Sequence, residues 1–161
     1  MKEPIAETAL AAIGQFSEDS VRTLSARRGE PEWMLNFRLA AWQTFLDIPM
    51  PTDKDEAWRR TRLTGFDLAN FTPNATGNAS AEVAANIQHE LDEMTTAASM
   101  VFQDGEAIYQ DDEAGVAAQG VIFSTLRDAL NNHPELVQTY YRPEVVKPED
   151  NKVTALRAGL W

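Results

Sequence analysis

The sequence predicts a mainly α fold with a small β element (α+β), on three observations. The stretch Gly29-Glu30-Pro31-Glu32-Trp33 opens a long helix that is apolar over most of its circumference. Apolar residues recur at helical spacing in several further segments. One stretch, residues 97–110, changes period and flanks an Asp104-Gly105 pair with two extended runs.

The main helix runs from Pro31 to about Asp47. At about 100° per residue, Trp33, Met34, Phe37, Ala41 and Phe45 fall on one broad face, and Leu35, Leu39, Trp42 and Leu46 fill the next. Only Asn36, Gln43 and Asp47 share a polar strip. Such a helix must be covered from at least two sides, which makes it the buried hub of the fold, with Trp33 expected to be fully buried on it. Pro31 suits the first turn, where its missing N–H has no partner to lose, and Glu30 and Glu32 complement the positive end of the helix dipole.

Length and composition bound what surrounds this helix. With 161 residues, 43% apolar and 24% charged, the chain makes one domain of ordinary size, or one with an appendage. That size buries roughly two-thirds of the surface the unfolded chain exposes. No apolar run reaches the length of about 18 residues needed to span a bilayer. Met1-Lys2-Glu3-Pro4 lacks a signal-peptide layout, so a soluble, cytoplasmic protein is expected. The absence of cysteine excludes a disulfide framework and thiolate ligation of zinc or an iron–sulfur cluster within these residues. The net charge of −11 is uneven: residues 1–66 carry nine Lys/Arg against ten Asp/Glu, and residues 67–161 carry five against fifteen. An acidic chain without a Lys/Arg stripe is not expected to bind nucleic acid.

In chain order, Ile5, Ala9, Ala12, Ile13 and Phe16 describe a first helix, and Ser17 caps a second that Gly29 ends. Arg22, Arg27 and Arg28 on the second read as a solvated face. After the main helix, Ile48-Pro49-Met50-Pro51 imposes an extended exit. In Glu56-Ala57-Trp58-Arg59-Arg60-Thr61 the expectation is a Trp58 that plugs the core beside an Arg–Glu pair. Leu63, Phe66, Leu68 and Phe71 add apolar anchors around Gly65 in irregular or short 3₁₀ structure. The Thr/Asn/Ala/Gly/Ser stretch from Asn70 to Ala81 reads as a linker, and its sequons at Asn70, Asn74 and Asn78 as products of composition. The expected organisation is an N-terminal helical subdomain at 1–70, a linker at 71–81 and an α+β segment at 82–161.

Beyond the linker, Val83, Ile87, Leu91 and Met94 mark an amphipathic helix whose polar side carries His89. His89-Glu90-Leu91-Asp92-Glu93 lacks the second histidine of a zinc protease motif. The Asp104-Gly105 hairpin is expected to place Met100, Phe102, Ala107 and Tyr109 on one face. Asp111-Asp112-Glu113 reads as a solvated turn. Val121-Ile122-Phe123 leads to Ser124 as cap of a helix with Leu126, Ala129 and Leu130 inward. His133-Pro134 starts another helix that closes at Tyr140 and Tyr141, with His133 as a capping or surface residue. From Asp150 as cap, Val153, Leu156, Leu160 and Trp161 form a last apolar stripe. No nucleophile–base pair, phosphate loop or ligand cluster emerges. No catalytic, cofactor-binding or metal residue is assigned, and no enzyme is expected.

A family resemblance adds to this. Arg28-Gly29-Glu30-Pro31-Glu32-Trp33-Met34-Leu35 with Phe37-Arg38-Leu39 resembles the N-terminal signature of the SufB/SufD proteins of the Suf iron–sulfur cluster assembly system. Glu56-Ala57-Trp58-Arg59 with Thr61 resembles an element typical of the SufD side, with Arg60 where an aromatic is usual. Gly120-Val121-Ile122-Phe123 with His133-Pro134-Glu135-Leu136-Val137, and Asp150-Asn151-Lys152 with Ala155-Leu156, resemble the approach to the family's β-helix core. The resemblance implies a scaffold that pairs SufB with SufD, binds a SufC-type ATPase and handles clusters through a cysteine and a histidine in that later core. Those residues lie beyond the resembled region, so no site residue and no cofactor is carried over. It also implies that the last helix continues into the core, which would leave its apolar stripe uncovered here and favour self-association. The other reading is a helical protein-interaction module, unrelated to cluster assembly, that docks through its acidic second half.

Overall fold

Two short-range signals set the beginning of the fold. In the computed structural model, which describes residues 15–61, 67–72, 87, 89–91, 93–103, 106–111 and 115–160, Ser17 caps helix α1 (Glu18–Arg28) in a reciprocal box with Ser20. Gly29 ends α1 in the left-handed region at φ 65°, as a Cβ-free residue does at little cost. Helix α2 follows at once (Glu32–Asp47), with Pro31 one position before its first helical residue, and it exits into extended backbone at Ile48. The fold is mainly α, with helices α3 (Leu126–Asn132), α4 (Pro134–Tyr140) and α5 (Lys152–Leu160) towards the end of the chain. Its β element is one antiparallel hairpin, β1 (Ser99–Gln103) with β2 (Glu106–Asp111).

The chain divides into two compact units, Met1–Asn74 with Leu130–Trp161, and Ala75–Ala129. The first is therefore discontinuous, which a linear division at 71–81 does not express. In it α2 packs against α5 and α1, and α1 also touches α5. The core is Phe16, Val21, Leu24, Trp42, Phe45, Leu68, Ala155, Leu156 and Leu160, with Leu39 and Leu46 packed at its margin. Leu68 sits in the expected 3₁₀ turn, Leu68–Asn70.

Several expectations are corrected here. The buried strip of α2 is Met34, Arg38, Ala41, Trp42 and Phe45; Trp33 and Phe37 are only half-buried. An almost all-round apolar helix leaves open which sector docks, and α5 takes the one that holds Arg38. Trp58 is likewise half-buried within a run of turns and is not among the core residues. Thr125, not Ser124, accepts from the Asp128 N–H at the start of α3, because its hydroxyl also donates to the Asp128 carboxylate. Leu126 is consequently exposed, while Leu130 is buried. Asn151, not Asp150, caps α5, its Oδ1 accepting from Val153 and Thr154. Of the stripe of α5, Leu156 and Leu160 lie in the core beside Ala155 and Val153 is half-buried, so these residues are taken up within the chain and not left uncovered.

In the second unit the hairpin register is Gln103↔Glu106, Phe102↔Ala107, Val101↔Tyr109 and Met100↔Gln110, with an irregularity between Val101 and Phe102. Ile108 is the extra residue, and it moves Tyr109 off the face of Met100 and Phe102 onto that of Val101. Ile87 and residues 89–91 are helical, with Met94 exposed beyond them rather than inward. The first predicted helix at Ile5–Ile13, the anchors Leu63, Gly65 and Phe66, most of the linker with Asn74 and Asn78, Val83, the Asp104-Gly105 turn, Asp112-Glu113 and Trp161 lie outside the described residues.

Trp33→Ala is expected to cost about 1–2 kcal/mol, because only part of the ring leaves water. Arg22 pairs with Glu18 on an exposed helical turn, so Arg22→Ala is expected to stay within about 0.5 kcal/mol. Urea midpoints of the two variants check the order.

Candidate interaction surface

The inner side of the first unit is fastened by two polar contacts between α2 and α5. Arg38 donates from Nε and Nη2 to the two carboxylate oxygens of Glu30 at 2.6 and 2.7 Å, a two-pronged pair whose side chains are 4% and 1% exposed. Its Nη1 reaches the Gly159 carbonyl at 3.4 Å. A Cβ on Gly159 would stand 3.5 Å from the α2 backbone at Arg38 and Trp42, ordinary contact distance, so α5 passes close to the α2 backbone at this point. At the other end of α2, Lys152 Nζ donates to the carbonyls of Phe45 and Ile48 at 2.6 and 2.8 Å and lies 4.3 Å from the Phe45 ring centroid. That is a cation on the negative end of a helix. Gly29-Glu30-Pro31 is thus a joint: Gly29 turns the chain, Glu30 binds Arg38, and Asn131 Nδ2 donates to the last carbonyl of α1, Arg28 O.

The outer sector of α2 is closed by Tyr141, whose ring lies 6.0 Å from Trp33 and edge-on to Phe37 at 5.6 Å. Burial pushes the Tyr141 phenol above its ordinary 10.0, with Arg38 and Arg157 opposing and Glu30 adding. A raised folded pKa means that the fold favours the neutral phenol. The stability it contributes is present below pH 10.0 and is lost as pH rises from there through the folded pKa. Burial lowers the Lys152 pKa from 10.5, opposed by Asp47, which acts with the opposite sign. A comparison with Tyr141→Phe cancels the lysine, and the two urea midpoints are expected to separate only above pH 10.0, with wild type falling faster.

Beside Tyr141 a groove of about 290 Å³ runs between Phe37, Ala40, Ala41 and Thr44 of α2 and the turns that carry Pro143, Glu144, Lys147, Pro148 and Glu149. Leu136 and Tyr140, one turn apart on α4, and Val145 and Val146 beyond it, are exposed. In the second unit, a polar hollow of about 320 Å³ lies between Ala107–Gln110 of β2 and Thr125, Arg127 and Asp128. Met94, Phe102, Val121, Ile122 and Leu126 are exposed there.

The polar residues singled out in the sequence are dispersed. Arg59 pairs with Glu56 at 3.3 Å in the open, and His89 lies 3.9 Å from Glu93 with three-quarters of its side chain in solvent. His133 precedes α4 without a side-chain cap bond. Among the described residues no group of three or more His, Asp or Glu is gathered as for a metal ion, and no helix is long and apolar enough to cross a membrane. Sequence reasoning missed Arg38 as a buried residue. The available signal was an arginine on the apolar side of the wheel, with a glutamate eight residues before it.

The SufBD protein N-terminal region family matches residues 17–160. The chain is 26% identical over 151 residues to the iron–sulfur cluster assembly protein SufD of Bacillus subtilis, covering 89% of this chain and 33% of that protein. It is 30% identical over 160 residues to an iron–sulfur cluster assembly SufBD family protein of Mycobacterium leprae, covering 91% of this chain and 18% of that one. A family member from Staphylococcus haemolyticus is 29% identical over 156 residues, with 91% and 33% covered. This chain therefore spans a third or less of the length of these relatives. No solved structure matches. With 17–160 of its residues matched, the chain belongs to the SufBD N-terminal region family.

Proposed function

We propose that the chain is the N-terminal module of an iron–sulfur cluster assembly scaffold and acts by protein–protein contact. The observation that carries this is the family match over residues 17–160, joined to relatives whose names place them in cluster assembly. Its partners in this reading are a SufB/SufD-type subunit and a SufC-type ATPase, in the cytoplasm. The module is neither an enzyme nor a resident cluster holder. Supporting the contact role, α4 exposes Leu136 and Tyr140, a pair at i, i+4 suited to a partner helix.

Co-expression of the chain with SufB-type and SufC-type subunits, followed by affinity purification, tests the reading. Elution with at least one of them at fixed ratio is expected; elution alone in every pairing overturns it. The purified chain is expected to be colourless after anaerobic reconstitution, since it has no cysteine and its two histidines are dispersed and exposed. Iron and sulfide analysis after desalting checks this, and a stoichiometric retained cluster removes the claim that it holds none.

A further inference from the structure

The charge of this chain is concentrated in one unit. Ala75–Ala129 contains ten Asp/Glu and a single Lys/Arg, Arg127, so it carries −9 of the total −11. The same unit exposes Val121, Ile122 and Leu126 within one short stretch. That stretch is tied at two points: Gln110 Nε2 of β2 donates to Phe123 O at 2.9 Å, and Thr125 Oγ1 accepts from the Asp128 N–H at the start of α3. Its apolar side chains are therefore presented by a fixed backbone, which lowers the ordering cost of a contact.

Charge decides among partner classes. A surface of this sign repels nucleic acid phosphates and anionic lipid headgroups, whereas it attracts and steers a basic polypeptide. Charge alone would give loose association, and the three exposed apolar residues supply the part that excludes water. We propose that the Ala75–Ala129 unit docks a basic amphipathic segment of a partner protein. The partner's Lys/Arg side chains face this unit's carboxylates, Glu90, Glu93, Asp111 and Asp128 among the described residues, and its apolar side covers Val121, Ile122 and Leu126. This rests on the reading of the chain as an interaction module and names the chemistry of its partner.

The test uses the full chain and two synthetic helical peptides with leucines at i, i+3, i+4 and i+7, one with lysines and one with glutamates at the remaining positions. Fluorescence anisotropy is expected to show binding of the lysine peptide, weakened by salt, and none of the glutamate peptide. Val121→Ser/Ile122→Ser/Leu126→Ser changes only exposed side chains, and its thermal unfolding serves as the folding control. It is expected to lose about tenfold in affinity, or about 1.4 kcal/mol. Equal affinity of the triple variant and wild type overturns the proposal, as does hydrogen-exchange protection by the peptide that falls on α2 and α4 instead of residues 115–129. Loss of co-purification with Suf subunits while the triple variant still loses peptide binding would sink the assembly reading alone. The reverse pattern would sink this inference alone.

Discussion

Replacing Arg38 with alanine is expected to destabilise the first unit by about 3–5 kcal/mol, because it leaves the Glu30 carboxylate buried without its partner. The Glu30 side chain is 1% exposed and accepts both prongs of the guanidinium, so water has no access to take over. Glu30→Ala strands the guanidinium in the same way and is expected to cost a similar amount. Replacing both residues by apolar ones of similar volume, Arg38→Met with Glu30→Leu, is expected to recover most of the loss, since neither charge then needs compensation. Urea unfolding of the four proteins measures the two losses and the recovery. Independent, small losses for both single variants would mean that the pair is solvated in solution.

Phe45→Ala is expected to cost about 3–5 kcal/mol, the usual range for truncating a fully buried aromatic. Phe45 is 1% exposed and stacks on Trp42 at 5.0 Å, while its ring also lies under the Lys152 ammonium. The loss therefore reaches both the core and the seat of α5. Gly159 offers a contrast on the same interface. A methyl there would sit at ordinary contact distance, so Gly159→Ala is expected to be nearly neutral, helped by helix propensity. Gly159→Leu is expected to cost about 1–3 kcal/mol, because a branched side chain has only backbone in front of it and must push the helices apart. Thermal unfolding of the three variants gives the order, and an unaffected Gly159→Leu would show that α5 is not seated as described.

Two of the resemblance blocks turn out to be joints of the helical unit. Arg28-Gly29-Glu30-Pro31 reverses the chain between α1 and α2 and supplies the buried carboxylate, and Asn151-Lys152 caps α5 while it clamps the end of α2. That explains why a family could be read from these residues before any site was visible. Their chemistry is that of packing and capping.

What the sequence by itself determined is local. Ser17 and Gly29 bounded α1, Pro49 and Pro51 ended the main helix, Pro134 opened α4, and the change of period marked the hairpin. Each of these rests on interactions within a few residues, so a one-dimensional reading reaches them. Tertiary structure alone decided which sector of α2 is inside, that Arg38 belongs there, and that α5 is covered. The physical reason is distance along the chain: Arg38 meets Gly159 across 121 positions and Lys152 meets Phe45 across 107. A helix apolar on nearly every side carries no local preference among its faces, and only the partner that arrives from the far end of the chain selects one.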